Sequence, residues 1–170
     1  MKRLAVLRHA KSSWDDPGLD DFDRPLNDRG WKAARRIGEE MKRRRMDFDF
    51  VLASPAARVR ETLHGVCEKF EFECEIQFEP RIYGAGGATL LSLIQGSPES
   101  VRAPLLVGHN PGLQQLIVDL TRDEQRRLRS RVAHKYPTAA LAIIEVPSSW
   151  SAVEPGGAEI IELIVPRDLG

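Results

Sequence analysis

Leu4-Ala5-Val6-Leu7-Arg8-His9 decides the reading of this chain: four apolar residues run directly into a guanidinium and an imidazole. So short an apolar run suits a buried strand. The same arrangement returns twice. Phe48 to Ala53 reads as a second strand stopping at Ser54-Pro55, and Leu105 to Val107 as another ending in Gly108-His109-Asn110-Pro111. Helical patterns lie between them. Gly30 to Arg45 places Trp31, Ala34, Ile37 and Met41 on one face, a helix opened by Pro55 buries Leu63, Val66, Cys67 and Phe70, and Leu113, Leu116, Ile117 and Leu120 line another. Glu73 to Glu79 alternates as a half-exposed strand, and Ala88 to Ile94 is a short helix after a Gly-rich turn. Ala139 to Val146 and Glu159 to Val165 close the chain as a hairpin-like pair or edge addition, joined by the polar connection from Pro147 to Gly157. Strands alternating with helices predict an α/β fold, a three-layer sandwich whose mostly parallel central sheet carries helices on both faces. No repeat or linker divides the chain, so 1–170 is expected to be a single domain.

Composition narrows the class. The 170 residues carry 25 Lys+Arg against 25 Asp+Glu, and this neutrality argues against a dedicated nucleic-acid binder, whose backbone affinity needs excess cationic charge. Apolar residues at 42% with charged residues at 29% fit a globular domain and exclude disorder and low-complexity architectures. Cys67 and Cys74 are too few for a disulfide framework, so a reducing, cytoplasmic setting is expected. No stretch approaches the roughly 20 apolar residues of a membrane span, and the run after Met1-Lys2-Arg3 is too short for a signal peptide. The sequence carries no signal for oligomeric state.

In open α/β sheets, ligands gather beyond the carboxyl ends of the strands. Arg8-His9, Ser54 to Arg58 and Gly108-His109 all follow strands and are therefore expected around one crevice. Guanidinium forks match phosphate oxygens, so the crevice reads as an oxyanion site, most naturally for a phosphoryl group. Between cations an imidazole stays unprotonated and nucleophilic. His9 is the candidate nucleophile, with His109, best protonated, donating to a phosphoryl oxygen as charge builds.

Other signals fail on placement. Asp47-Phe48-Asp49 imitates an aspartate-nucleophile phosphatase but precedes its strand. Six positions beyond Cys67 and Cys74 stand Glu73 and Pro80, where a cysteine phosphatase needs arginine. Gly84-Ala85-Gly86-Gly87 lacks both the P-loop ending and the dinucleotide spacing and reads as a turn. The four histidines show no metal-ligand spacing, and His64 on a helix and His134 in a polar loop read as bystanders. Lys42 to Arg45 suits a helix C-terminus. Arg126 to Arg131 is either a solvated face or a basic rim for a phosphorylated protein. Trp14 and Trp31 flank the first cluster, as stacking platforms or as core.

Leu7-Arg8-His9-Ala10-Lys11-Ser12, Ser54-Pro55-Ala56-Ala57-Arg58 with Glu61-Thr62, and Val107-Gly108-His109-Asn110-Pro111 resemble, in order and across most of the chain, the signatures of the histidine phosphatase (phosphoglycerate-mutase-like) superfamily. The short length, with little room for a lid insertion, is most similar to its SixA-like phosphohistidine phosphatase branch. The resemblance implies that His9 is transiently phosphorylated and that Arg8, Arg58 and His109 form the phosphate pocket. Arg24, in Asp23-Arg24-Pro25-Leu26, would be a further phosphate-binding arginine, or else a solvated loop residue. Ser12 would be a phosphate-binding hydroxyl, or else a local backbone partner. Two departures stand out. Ala10 occupies a position where the superfamily usually has Gly, which narrows the approach to ligand. The proton-donating carboxylate of many members has only Glu79, ahead of Pro80-Arg81-Ile82-Tyr83, as its nearest candidate. The activity implied is a metal-independent phosphatase without cofactor, acting through a covalent phosphohistidine enzyme on a phosphohistidine-bearing protein or a small phosphorylated substrate. A small-molecule phosphomonoesterase or mutase, and a phosphate-recognition module without turnover, remain open alternatives.

Overall fold

The computed structural model describes residues 1–122, 126–147 and 149–169, and they form a six-stranded sheet covered by helices. Its strands are β1 (Lys2–Arg8), β2 (Phe50–Ala53), β3 (Ile76–Phe78), β4 (Pro104–Gly108), β5 (Leu141–Val146) and β6 (Glu159–Ile164), in the spatial order β3-β2-β4-β1-β5-β6. β1, β2, β3 and β4 are mutually parallel, with Leu7 beside Val107 and Ala53 beside both Val107 and Phe78. β5 opposes β1, and β6 opposes β5, so the last pair is the expected antiparallel addition at one edge and the sheet is mostly parallel.

The pleat of β1 shows why an unbroken apolar run was needed. Side chains alternate between faces along a strand: Leu4 and Val6 enter one core cluster, Ala5 and Leu7 the other. The first cluster packs under α3 (Gly87–Gln95), α4 (Gly112–Leu120) and α5 (Arg126–His134), and the second under α1 (Asp28–Arg43) and α2 (Ala57–Cys67). Asn27 caps α1, its side-chain oxygen accepting from the Gly30 amide at 2.8 Å, so the helix starts ahead of the expected Gly30. Lys42 and Arg43 occupy its last turn, as the helix dipole favours.

Several details differ from the sequence reading. β3 shrinks to three residues because it lies at the sheet edge and pairs with β2 alone. His134 ends helix α5 instead of lying in a loop. The arginines of Arg126 to Arg131 mask its apolar stripe, in which Val132 is buried and Leu128 packs on the core. Gln114 closes that helix by donating to the carbonyls of Val132 and Ala133 at 2.8 and 3.0 Å. Arg129 donates to the Val118 carbonyl and Arg131 pairs with Asp168, while the side chain of Arg126 lies outside the described residues. In the Pro147 to Gly157 connection, Trp150 is fully buried and donates from its indole to the Val101 carbonyl; Ser148 and the terminal Gly170 lie outside the described residues. Asp49 accepts from the amides of Arg102 and Ala103 at 2.7 and 2.9 Å, pinning the start of β4 at the end of the sheet away from His9. No helix among the described residues is long and apolar enough to cross a membrane.

Candidate active site

The parallel register of β1, β2 and β4 carries their C-terminal residues to one edge, where the three clusters meet. His9 follows β1 with its amide on the Gly108 carbonyl (3.1 Å), Ser54 follows β2 with its amide on the Val107 carbonyl (3.0 Å), and His109 follows β4. The rings of His9 and His109 stand 5.2 Å apart between centroids.

The His9 tautomer follows from its neighbour. Nδ1 lies 2.7 Å from the Ala10 carbonyl oxygen, which can only accept, so Nδ1 carries the proton and Nε2 keeps its lone pair. The backbone that fixes this ring is tied down from both sides. Thr62, on α2, accepts from the Ala10 amide (2.9 Å) and donates to the Arg58 carbonyl (2.6 Å), coupling the nucleophile segment to the arginine helix. Ala139, in the left-handed region at φ 61°, brings its amide to the carbonyls of Arg8 and His9. Gly30 allows α1 to approach closely: a Cβ there would meet the Lys11 carbonyl oxygen at 2.1 Å.

Arg8 gives Nη1 to the Tyr136 carbonyl (3.0 Å), and Arg58 gives Nη1 to the Asp21 carbonyl (2.7 Å) and Nη2 to the Asp21 carboxylate (3.0 Å). In both, Nε is buried with no partner, and so is Nδ1 of His109, whose Nε2 lies 2.7 Å from the Ser54 hydroxyl. Buried nitrogens left without acceptors cost on the order of 1–3 kcal/mol each. On residues gathered at one strand edge, such nitrogens suit an anion with several oxygens.

Arg24 and Ser12 join the same edge. Both are buried, and Arg24 donates from Nη1 to the Ser12 hydroxyl (2.7 Å) and the Ser13 carbonyl (3.2 Å), and from Nε to Asp21 (3.1 Å). Arg24 is therefore no solvated loop residue, and Trp14 stacks 3.5 Å from its guanidinium while staying exposed. Ser12 reaches the site through Arg24. Glu61 fixes this loop by accepting from the Leu26 amide (2.9 Å). Glu79, by contrast, is engaged by Arg81 through both oxygens (2.9 and 3.1 Å), and that pairing holds its carboxyl below the usual range. Asp21 and Tyr83 belong to the site without having been singled out in the sequence. Tyr83 donates its hydroxyl to Asp21 at 2.6 Å, and its ring lies edge-on to His109 at 5.4 Å. Among the described residues, no group of three or more His, Cys, Asp or Glu is placed to hold a metal ion.

Burial, reinforced by His109, Arg8 and Arg58, pushes His9 down to about 3, and burial with Arg58 pushes His109 down to about 4. The sequence reading credited the cations first; desolvation is the larger cause. It also expected His109 to serve protonated, whereas without an anion the ring is neutral near pH 7. A bound anion would favour its charged form.

These shifts predict a pH profile of stability. For a histidine whose folded value lies below its ordinary 6.5, the unfolded chain binds the proton first. The contribution is complete above 6.5 and is lost as pH falls toward 4 and then 3. Asp21, held at about 2 from an ordinary 3.8, loses its own contribution as pH falls from 3.8 toward 2, so it adds nothing to the change between pH 7 and pH 4. The denaturant midpoint is expected to fall between pH 7 and pH 4, and an invariant midpoint would contradict two neutral buried imidazoles.

Comparison with known proteins identifies the family. A model of the histidine phosphatase superfamily (branch 1) matches residues 4–83. A solved structure from Agrobacterium tumefaciens, described as a candidate phosphohistidine phosphatase SixA, superposes with a TM-score of 0.82 at 32% identity, covering 97% of this chain and 98% of that one. An uncharacterized protein of Mycobacterium tuberculosis is 33% identical over 95% of this chain and its own full length. The phosphohistidine phosphatase SixA of Escherichia coli is 24% identical over 86% of this chain and 87% of its own.

Proposed function

This chain belongs to the histidine phosphatase superfamily, in its SixA-like branch, and from that premise we propose that it is a phosphohistidine phosphatase working through a phosphorylated His9. The observation that carries the proposal is the His9 ring, its Nδ1 committed to Ala10 and its Nε2 left with the lone pair, standing 5.2 Å between centroids from His109 at the strand edge that also carries Arg8 and Arg58, whose Nε atoms have no partner. Nε2 attacks phosphorus while the bond from phosphorus to the substrate's imidazole nitrogen breaks, and the departing nitrogen gains a proton. Water then attacks the phosphorylated His9, breaking the new P–N bond and releasing inorganic phosphate and the original imidazole. Arg8, Arg58 and His109 hold the phosphoryl oxygens throughout, with Arg24 and Ser12 at the margin. No metal or cofactor takes part.

The carboxylates favour a P–N bond over an ester. Glu79 is paired with Arg81, and Asp21 is held charged by Tyr83, Arg58 and Arg24. A leaving alkoxide needs an acid in place, whereas a leaving imidazole protonates readily from water. The substrate class follows: a phosphohistidine-bearing protein, outside any membrane and without nucleic acid, in the cytoplasm.

A substrate panel tests this reading. With phosphohistidine peptides, phosphoserine and phosphotyrosine peptides, and sugar phosphates, kcat/KM is expected to be highest for phosphohistidine, with free phosphate as product and no effect of EDTA. A higher value for sugar phosphates, or phosphate passed to a second substrate, would support the phosphomonoesterase or mutase alternative. Binding without turnover of any of them would support the recognition module.

A further inference from the structure

We infer that Asp21 is a positioning residue for the oxyanion site: it bridges Arg24 and Arg58 and turns their unengaged edges toward the phosphoryl group. The inference rests on reading the pocket as an oxyanion site and adds a residue that this reading does not use.

Asp21 stands in the short 3-10 turn Asp21–Asp23, well apart in sequence from the strand-end clusters. One carboxylate oxygen accepts from Arg24 Nε at 3.1 Å and the other from Arg58 Nη2 at 3.0 Å, while its backbone carbonyl accepts from Arg58 Nη1 at 2.7 Å. Tyr83 completes the set, donating its hydroxyl to the oxygen that holds Arg58, and Phe22 packs edge-on against the Tyr83 ring at 5.1 Å. Both terminal nitrogens of Arg58 are thus engaged from one side, and the nitrogen left over is the buried, unpartnered Nε.

Two physical consequences follow. Without a ligand, two nearly buried guanidiniums would repel one another, and a shared carboxylate keeps both in place before any phosphate arrives. A planar fork fixed at Nη1 and Nη2 also has one orientation, so less side-chain entropy is lost when the anion binds. Arg8 is held at one terminal nitrogen, Nη1 on the Tyr136 carbonyl, and its Nε likewise has no partner. Asp21 remains anionic to low pH, held there chiefly by the Tyr83 hydroxyl and then by Arg58.

The same contacts raise the opposite possibility, a carboxylate that occupies Arg58 and must be displaced by substrate. The two differ in sign. Inorganic tungstate, a tetrahedral oxyanion, is the probe, with its affinity measured by calorimetry for the wild type, Asp21→Asn, Asp21→Ala, Tyr83→Phe, Arg58→Ala and the double variant Asp21→Ala/Arg58→Ala. Asp21→Ala is expected to weaken tungstate about tenfold, the scale of one charge-assisted hydrogen bond, and to lower kcat/KM for phosphoramidate by a similar factor. Asp21→Asn keeps the backbone carbonyl and one acceptor oxygen and should lie between Asp21→Ala and the wild type. Tyr83→Phe should lose less than Asp21→Ala, in the same direction. In the Arg58→Ala background, Asp21→Ala should add much less than it does alone, a non-additivity that a general loss of stability would not give. The Asp21 side chain is half exposed, so its removal leaves the core intact, and Asp21→Asn and Tyr83→Phe decide the matter if Asp21→Ala does not fold. Tungstate bound as tightly as in the wild type, or more tightly, would overturn the inference. A wild-type protein that binds no tungstate would instead overturn the oxyanion reading beneath it.

Discussion

His9→Ala is expected to abolish turnover and to leave no phosphate on the protein when a reaction with labelled substrate is quenched in alkali, which preserves P–N bonds. His9 is the imidazole of the cluster whose tautomer a neighbouring carbonyl fixes, leaving the lone pair on Nε2. Its Nδ1 proton is committed to Ala10, and burial keeps the ring neutral far below pH 7. The fold should survive, because the backbone of this segment is held by bonds that do not involve the ring: the His9 amide to Gly108, the Ala10 amide to Thr62, and the Ala139 amide to the carbonyls of Arg8 and His9. Covalent label persisting in folded His9→Ala would move the nucleophile elsewhere.

Arg58→Ala and His109→Ala are each expected to lower the rate by on the order of 10²–10³, as the loss of one oxyanion donor does. The size follows from burial. Both residues are nearly inaccessible to water, and each contributes a nitrogen that no protein group satisfies, so no solvent molecule stands ready to replace it as charge develops on the phosphoryl oxygens. Arg24→Ala should cost less, because its Nε and Nη1 are already spent on Asp21, Ser12 and Ser13. Steady-state rates on a phosphohistidine peptide decide these cases, and a value within a few-fold of wild type would remove that residue from the site.

Much of this was legible in the residues because parallel sheets make chemistry local. A strand that must be apolar on both faces is short and conspicuous, and whatever follows it lies at the carboxyl edge. Arg8-His9, Ser54 to Arg58 and Gly108-His109 could therefore be assigned to one crevice before any contact was known. Thr62 stood inside a recognisable motif, although its bond to the Ala10 amide could not be read from spacing. Asp21 left no such trace. It is one carboxylate among several between Asp15 and Asp23, and only the fold of that loop brings it onto Arg58. Tyr83 was visible only as a neighbour of Glu79, whose own carboxylate turned to Arg81, two residues along. The helix carrying Arg126 to Arg131 was hidden for a different reason: its buried side rests on few apolar residues, among them Leu128 and Val132, amid arginines that anchor to carbonyls and to Asp168.

The central claim is that one tetrahedral anion touches His9, Arg8, Arg58 and His109 together, and a crystal structure of the protein soaked with tungstate tests it most directly. The account predicts the metal of the oxyanion in line with His9 Nε2, with oxygens accepting from Nε of Arg8, Nε of Arg58 and Nδ1 of His109. Tungstate bound elsewhere, with those nitrogens still lacking acceptors, would contradict it.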